Sequence, residues 1–261
     1  MRKHVHIALA VLLVALAGVS AWQGLRLREP VYQGRRLSVW LEILRKERAN
    51  GNDPYAGPAI RHIGTNALPV LIEWLHARDT PLKQMVMTWL QKQKLVHFNF
   101  KSADQRRGEA ILGYDALGPL ASVQVLSLSG ILTNDPSPDV RQAAAQALAA
   151  IGPEARLAAS ALFHAAKDTN NVVRDCAFIA LARIRPDPHL TVPILVAGLD
   201  DPNLRALAAH ALGEYGPEAR AAVPALLRML ATNNSASLVR NVAAAALKAI
   251  DPEAAARAGV Q

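Results

Sequence analysis

Cysteine is almost absent from this chain of 261 residues, which holds a single thiol, that of Cys176. One cysteine excludes an intramolecular disulfide and any zinc site built from cysteines. Cys176 occupies an apolar position of a predicted helix, so we expect a small buried side chain rather than a reactive thiol. Aromatic residues make up 5% of the chain and β-branched runs are scarce, whereas alanine and leucine abound. This composition predicts an all-α protein with almost no sheet.

Recognisable catalytic motifs are also missing. The sequence contains no P-loop, no GxGxxG, no HExxH and no GxSxG. Its eight histidines do not pair at positions i and i+4, and its carboxylates lack the spacing of a calcium loop. We therefore predict that the protein is not an enzyme. For the same reasons we expect no cofactor, no metal and no small-molecule substrate.

The positive charge is unevenly distributed along the chain. Residues 133–261 hold 12 Lys and Arg against 12 Asp and Glu, residues 30–132 hold 13 against 8, and residues 1–29 carry a net +3. The formal total of +8 is compatible with nucleic-acid binding by the basic N-terminal half, but no nucleic-acid motif is recognisable. We keep that function as a weaker alternative, because a solvated basic face or one near anionic lipid explains the charge equally well.

The first 22 residues resemble an export signal or a membrane anchor. A short basic start precedes residues 7–17, which carry no polar side chain, and the apolar character extends over residues 5–22. Small residues at 19–21 provide a cleavage site for a signal peptidase. If the segment stays uncleaved, residues 5–22 lie in the membrane with Trp22 at the interface. Both alternatives predict a body outside the cytoplasm, periplasmic or otherwise in the cell envelope, although several arginines after the segment oppose export.

One phrase recurs through the second half of the chain. The stretch DVRQAAAQALAAIGPEA, residues 139–155, has three altered copies downstream, and IGP at residues 151–153 becomes IRP, YGP and IDP in them. One column of the alignment is arginine at intervals of 33, 31 and 35 residues, namely Arg141, Arg174, Arg205 and Arg240. Fainter copies end at residues 119 and 75. A period of this length indicates a repeat architecture.

Each repeat reads as two helices joined by a tight turn. Ser137 is suited to cap the first helix and Pro138 to begin it, while Gly152 and Pro153 end it. Apolar residues recur at helical spacing between those limits, at Val140, Ala144, Ala147, Leu148 and Ile151. A second amphipathic helix follows in each copy. One such hairpin cannot bury both apolar stripes alone, so we predict that neighbouring hairpins stack and share one core.

The arginine column has two interpretations. It can form a ladder of anion-binding groups, or it can brace the stack by donating to carbonyls and carboxylates of the turns between repeats. Aspartate or asparagine recurs in those turns, at Asp168, Asp201 and residues 233–234. This neighbourhood favours the bracing role.

The repeat phrase resembles a known family. The Asp/Asn-rich turn, Val-Arg, the alanine-rich helix, Ile-Gly-Pro and Val-Pro-x-Leu-Leu are similar to the bacterial HEAT-repeat family, including its phycobilisome-lyase-like subtype. The resemblance is good over residues 133–258 and weaker over 54–132. It implies an α-solenoid of stacked HEAT-like helical hairpins, here preceded by an N-terminal hydrophobic helix. Members serve mostly as protein-interaction scaffolds, and a minority as chromophore-attachment factors.

These patterns divide the chain into four parts. Residues 1–22 are the signal or anchor, 23–53 a linker with an N-terminal capping helix, 54–132 divergent repeats and 133–261 regular repeats. The capping helix is predicted from Ser38 to Arg48, with Trp40, Leu41 and Leu44 facing inward. The period is interrupted near residues 95–107, where Phe98 and Phe100 either bind a partner or form an apolar plug in the core.

A candidate partner-binding strip follows from the resemblance, in which second helices line the concave side. Basic side chains occupy two equivalent positions of these helices, eight residues apart, at Arg156, His164, His189, Arg220 and Arg228. Stacking would align them into a mildly basic strip suited to an acidic protein segment, although an ordinary solvated face would look the same. We predict a non-catalytic scaffold, exported or membrane-tethered, that binds a protein partner. A lyase-like or chaperone-like factor is the alternative.

Overall fold

The computed structural model describes residues 27–51, 55–80, 85, 101–231 and 237–260. Within these ranges the chain is helical except for turns and one small hairpin, so the prediction of an all-α protein is confirmed. The hairpin pairs β1 (Val31–Tyr32) with β2 (Arg35–Arg36) in antiparallel register. It was not predicted. Its two turn residues, Gln33 and Gly34, both have positive φ, 48° and 73°, which is typical of a tight two-residue hairpin turn.

Helix α1 (Leu37–Ala49) precedes the repeats and two layers of helices follow it. The first layer contains the first helix of each hairpin: α2 (Ala56–Ile63), α4 (Ala103–Leu117), α6 (Pro138–Ile151), α8 (Asn171–Ile184), α10 (Arg205–Tyr215) and α12 (Ser237–Ile250). The second layer contains the second helices: α3 (Leu68–Leu75), α5 (Val125–Asn134), α7 (Ala159–Ala165), α9 (Pro188–Gly198), α11 (Val223–Ala231) and α13 (Pro252–Arg257).

Stacking follows the order of the chain. Each first-layer helix from α2 to α12 packs against the next one, and each second-layer helix from α3 to α11 packs against the first helix of the following unit. Helix α1 lies against α2 and α4 and buries Leu37, Trp40, Leu41 and Leu44. The predicted capping helix and its inward face are therefore confirmed. The array is an α-solenoid with one continuous core.

Small residues allow the first-layer helices to approach closely. The predicted apolar stripe of α6 is buried, since Val140, Ala144, Ala147 and Leu148 have no exposed surface. Between α10 and α12 the approach is closer still. A Cβ atom added to Gly213 would lie 3.2 Å from the Cα atom of Ala246, so a larger residue there would press on the neighbouring backbone.

A glycine turn joins the helices in four units. Gly64, Gly118, Gly152 and Gly216 have φ between 52° and 79° with ψ between −127° and −146°, a region that is essentially restricted to glycine. Each glycine begins a 3₁₀ turn: Gly64–Ala67, Gly118–Gln124, Gly152–Ala158 and Gly216–Ala222. The two faint upstream copies therefore fold in the same way as the regular ones.

Two units replace this glycine and change the turn. Arg185 adopts the left-handed helical conformation, φ 50° and ψ 63°, and Asp251 adopts an extended one. Neither begins a 3₁₀ turn, because neither side chain tolerates the glycine geometry. The second helix starts instead at an aspartate cap: the Asp187 carboxylate accepts the backbone N–H of His189, and the Asp251 carboxylate accepts that of Ala254.

The turns between units use aspartate in a recurrent way. The carboxylates of Asp135, Asp168 and Asp201 each accept the backbone N–H two residues later, at 2.9 Å. The prediction that the Ser137 side chain caps α6 was wrong, because Ser137 makes no side-chain cap and donates its N–H to Asp135 instead. Short polar side chains compete for backbone groups in turns, and the aspartate wins here.

Contacts join the residues before and after 81–100, a segment most of which lies outside the described ranges. Asp79 accepts the backbone N–H of Ala103 at 2.9 Å, and the Arg107 guanidinium donates to the carbonyl of Ala77. Helix α3 packs directly on α4 across this junction. The stretch PLKQMVMTWLQKQK, residues 81–94, reads in the sequence as a longer amphipathic helix, and apart from residue 85 it lies outside the described residues.

One stretch of the described residues, Ala103–Asn134, has the length and the apolar character of a helix that could cross a membrane. It comprises α4, the turn at Gly118 and α5, and both helices pack against α6. Soluble repeat proteins with apolar core helices meet the same criterion, so the finding by itself assigns no membrane span to this stretch.

Candidate partner-binding surface

All five basic residues of the predicted strip are exposed: Arg156, His164, His189, Arg220 and Arg228. Their placement differs from the prediction in one respect. Arg156 and Arg220 lie on 3₁₀ turns, whereas His164 and Arg228 lie on the α-helices that follow. The members of the pairs Arg156–His164 and Arg220–Arg228 are therefore not on one regular helix, and their common face stays a prediction.

The charges of the strip are only partly free to meet a partner. Arg220 forms an ion pair with Asp251 at 3.4 Å, and the Asp251 side chain is 12% exposed. The pKa of Asp251 is lowered, first by the hydrogen bond from the Ala254 N–H and then by Arg220. Within the described part of the chain, Arg156 and Arg228 form no ion pair. These two guanidiniums are the cations most available to an acidic segment.

The structure adds an apolar component that sequence reasoning missed. Val123 and Leu157 stand five residues after their turn glycines, and Leu190 stands five residues after Arg185 at the same position of the next unit. Their exposed fractions are 73%, 74% and 59%, and Leu126, one turn further along, is 70% exposed. We call Val123, Leu126, Leu157 and Leu190 the apolar ladder. The turns that carry Val123 and Leu157 pack against each other.

A cleft of about 520 Å³ opens beside the ladder where Arg185 replaces glycine. Three successive units contribute its walls: Pro153, Arg156, Arg185, Asp187, Pro188 and Glu218. The Arg185 guanidinium lies 3.5 Å from the Glu218 carboxylate and 5.8 Å from the centre of the Tyr215 ring. Leu157 and Leu190 each follow a basic residue, Arg156 and His189. In these two units an exposed apolar side chain thus has a basic neighbour in the sequence.

Three of the four arginines of the column brace the stack, as the neighbourhood of the turns suggested, whereas the buried Nε of the fourth, Arg205, has no hydrogen-bond partner among the described residues. Arg141 donates two hydrogen bonds of 2.8 Å to Asp168 in the next turn and one to the carbonyl of Asp135 in its own turn. Arg174 donates to the carbonyl of Asp168 at 2.8 Å, and Arg240 donates to that of Leu230. These arginines are occupied within the fold, so the column is not a free anion ladder.

Proton affinities reflect the same contacts. Hydrogen bonding from Arg141 holds the pKa of Asp168 below its ordinary value, and the same bond raises the pKa of Arg141. The Asp168 and Arg141 side chains are 11% and 13% exposed. Because both side chains are exposed so little to solvent, water screens their attraction weakly. The pair therefore stabilises the ionised forms of both groups.

No reactive centre is formed by the residues that the structure describes. Cys176 is buried as expected, and burial raises the pKa of its thiol, which disfavours the nucleophilic thiolate. No three His, Cys, Asp or Glu residues of the described ranges are grouped to hold a metal ion. The predicted absence of a cofactor remains a prediction. Phe98 and Phe100, the second candidate site, lie outside the described residues.

A stack of paired helices, with the same glycine turn in four of the units, defines the protein as a helical-repeat solenoid. Residues 125–203 and 192–258 match the family model described as HEAT repeats, which together is more than half of the chain. The chain therefore belongs to the HEAT-repeat family. The match does not extend to the phycobilisome-lyase-like subtype. A comparison with curated proteins gave no match.

Among solved structures the fold is similar to engineered proteins from the Northeast Structural Genomics Consortium. One shares 22% identity with a TM-score of 0.51, and the alignment covers 84% of this chain and 93% of the other. Another shares 23% identity over 85% of this chain and 61% of the other, with a TM-score of 0.49. At this identity the likeness concerns the fold alone.

Proposed function

We propose that the protein is a non-catalytic interaction scaffold, exported or membrane-tethered, whose second helix layer binds a protein partner. HEAT repeats generally mediate contacts between proteins. The single observation that supports a site on this layer is the apolar ladder. Exposed apolar patches mark interaction sites, and these side chains are more than half exposed in equivalent positions of successive units.

The chemistry of the ladder indicates the partner. Buried apolar anchors supply most of the affinity at protein interfaces, and charges around them contribute orientation and specificity. Arg156 lies beside Leu157 and His189 beside Leu190, while Arg228 is exposed on the same layer. A segment that presents apolar side chains at regular spacing, with carboxylates between them, matches this surface.

Export or tethering rests on the N-terminal residues. The uncharged apolar run at 7–17 within residues 5–22 supports either a cleaved signal or a retained anchor. Fractionation of the tagged full chain in a bacterial host measures its association with the membrane. Protease added to spheroplasts shows whether the body lies outside the cytoplasm. Protein that is recovered only in the soluble cytoplasm contradicts this part of the proposal and leaves the ladder to be tested separately.

The lyase-like or chaperone-like alternative rests on the resemblance of the repeat phrase alone. A chromophore-attachment factor requires a pocket for the chromophore, and no observation on the described residues favours such a site over a protein-binding surface. Absorbance of the purified chain after incubation with free tetrapyrrole distinguishes the two. A stable coloured complex would favour the lyase-like role.

Photo-crosslinking tests the binding surface directly. Benzoylphenylalanine replaces Leu157 in one variant and Leu190 in another, and Ile179 on α8 of the first layer provides a control that is 40% exposed. We expect the same crosslinked species from positions 157 and 190 and none from position 179. Arg156→Gln combined with Arg228→Gln should weaken that crosslink. Equal crosslinking from position 179 would contradict a site on the second layer.

A further inference from the structure

The N-terminal end of the array is a rigid platform built on the hairpin. The Trp40 indole N–H donates to the carbonyl of Tyr32 at 3.1 Å, and the Tyr32 ring lies 4.3 Å from the ring of His62 on α2. The Ser38 N–H donates to the Glu29 carboxylate at 2.9 Å, and Leu37 N–H to the carbonyl of Pro30. The hairpin is thus fixed to both α1 and α2.

This platform exposes cations and apolar groups together. Four arginines are exposed and form no ion pair within the described ranges: Arg28, Arg35, Arg36 and Arg61. Leu27, Val31 and Tyr55 are 51%, 62% and 72% exposed. A groove of about 630 Å³ lies between the hairpin and α2 with Tyr32, Trp40, Tyr55 and His62 among its walls. Positive charge, exposed aliphatic groups and tyrosine together are typical of a surface at the lipid headgroup level.

The nearby carboxylates do not cancel this charge. Glu29 caps the start of α1, and the Glu47 carboxylate accepts the backbone N–H of Ala56 at 3.1 Å. Glu42 pairs with Lys46 at 2.9 Å and is neutralised there. Glu29 and Glu47 keep their charge while they accept backbone N–H groups, so the four arginines against these two carboxylates leave the platform net positive.

The length of chain before the platform limits its distance from the apolar segment. Val31 follows Trp22 by nine positions in the chain, which span about 30 Å when fully extended. If residues 5–22 lie in a bilayer, the hairpin is therefore held within reach of the headgroups. Basic side chains held this close to a membrane surface are attracted by anionic headgroups.

We propose that the hairpin platform rests on a bilayer surface rich in anionic phospholipid, with the arginines on the phosphates and Val31 at the headgroup boundary. The inference rests on the membrane tether of the proposed function and adds its lipid specificity. It also assigns the orientation of the array: the N-terminal unit contacts the membrane, and the apolar ladder stands away from it.

The test uses the full chain in lipid nanodiscs with an environment-sensitive fluorophore at position 31. Val31→Cys in a Cys176→Ala background provides the site, and Val172→Cys, 46% exposed on α8, provides the control. We expect the probe at 31 to shift to the blue and at least double its emission in phosphatidylglycerol discs relative to phosphatidylcholine discs. The probe at 172 should respond equally in both lipids.

Charge neutralisation tests the cause. Arg28→Gln combined with Arg36→Gln, which changes two exposed side chains that form no ion pair within the described ranges, should abolish the lipid-dependent shift at position 31. Arg183→Gln combined with Arg257→Gln, exposed at a distance from the platform, should leave it intact. Salt at about 0.5 M should reduce the wild-type shift, because the attraction acts between solvent-exposed charges.

The outcomes separate this inference from the tether. A chain that enters discs of both lipids but shows the same emission at position 31 in each overturns the headgroup contact and leaves the tether standing. A chain that enters neither disc overturns both. If duplex DNA shifts the probe at 31 in phosphatidylcholine discs as strongly as anionic lipid does, the platform is a nucleic-acid surface and the inference is wrong.

Discussion

Arg141 and Asp168 lie 27 residues apart in the chain and form a bidentate ion pair whose two N–O distances are both 2.8 Å. The pair connects the first helix of one unit to the turn of the next. Through its other nitrogen Arg141 also holds the carbonyl of Asp135. One side chain thus fixes two successive turns, which sets the spacing of the units.

Removal of the Arg141 side chain should destabilise the array more than removal of the Arg174 side chain. Arg141→Ala leaves the Asp168 carboxylate without its charged partner and should lower the free energy of unfolding by about 3 kcal/mol. Arg174→Ala loses bonds to carbonyls and to Asn171, and should cost about 1–3 kcal/mol. Urea denaturation measures both. Equal stability with loss of partner binding would instead favour the anion ladder.

Acid should weaken the brace in a defined direction. The pKa of Asp168 is lowered in the folded chain, so its ionised form stabilises the fold above the unfolded pKa, and this contribution is lost as the pH falls through the folded pKa. The difference in unfolding free energy between wild type and Asp168→Asn should be constant above about pH 5 and shrink below it. Asp200→Asn, an exposed control, should show no such change. A constant difference down to the acid transition would contradict the assignment.

Two helical glycines should respond in opposite ways to alanine. Gly213→Ala places a methyl group 3.2 Å from the Ala246 Cα atom and should destabilise the fold by about 1–3 kcal/mol through overpacking. Gly108 on α4 has nothing within 4 Å of an added Cβ, so Gly108→Ala should stabilise by about 0.5–1 kcal/mol. Thermal melts of both variants measure these changes in stability. If Gly213→Ala is neutral, the two first-layer helices are looser than described.

Residues 81–100 should be replaceable. The contacts of Asp79 with Ala103 and of Arg107 with Ala77 close the chain on either side of them. A short Gly/Ser linker in their place should leave the helical circular dichroism per residue and a cooperative melt unchanged. A drop of the melting temperature would support the alternative that Phe98 and Phe100 form a plug in the core.

The period of the fold could be predicted because each repeat carries strong local signals. Gly152 and Gly216 occupy backbone geometries that only glycine tolerates, and the arginine column is polar among apolar residues, so both columns stand out in the sequence. The role of Arg185 was hidden. A residue with a side chain at a glycine position looks like ordinary variation until its backbone conformation is known.

The hairpin and the apolar ladder could not be predicted for a different reason. Gln33–Gly34 is a weak turn signal, and strands of two residues carry no periodicity. Leu157 and Leu190 look like core residues in the sequence, because an exposed leucine beside a buried alanine fits the same amphipathic pattern. Their exposure depends on how the preceding turn orients the following helix, which is a property of the three-dimensional structure.

Contacts that lie mainly between neighbouring units also determine how the array responds to force. A solenoid pulled at its two ends is loaded in series, because tension passes through every boundary between units in turn. The Arg141–Asp168 clamp stiffens one boundary, while the boundary at Arg185 is opened by a cleft. Extension should therefore begin near Arg185 and proceed unit by unit. A chain that is fixed at one end and bound to a partner along its length would then lengthen in steps under increasing force.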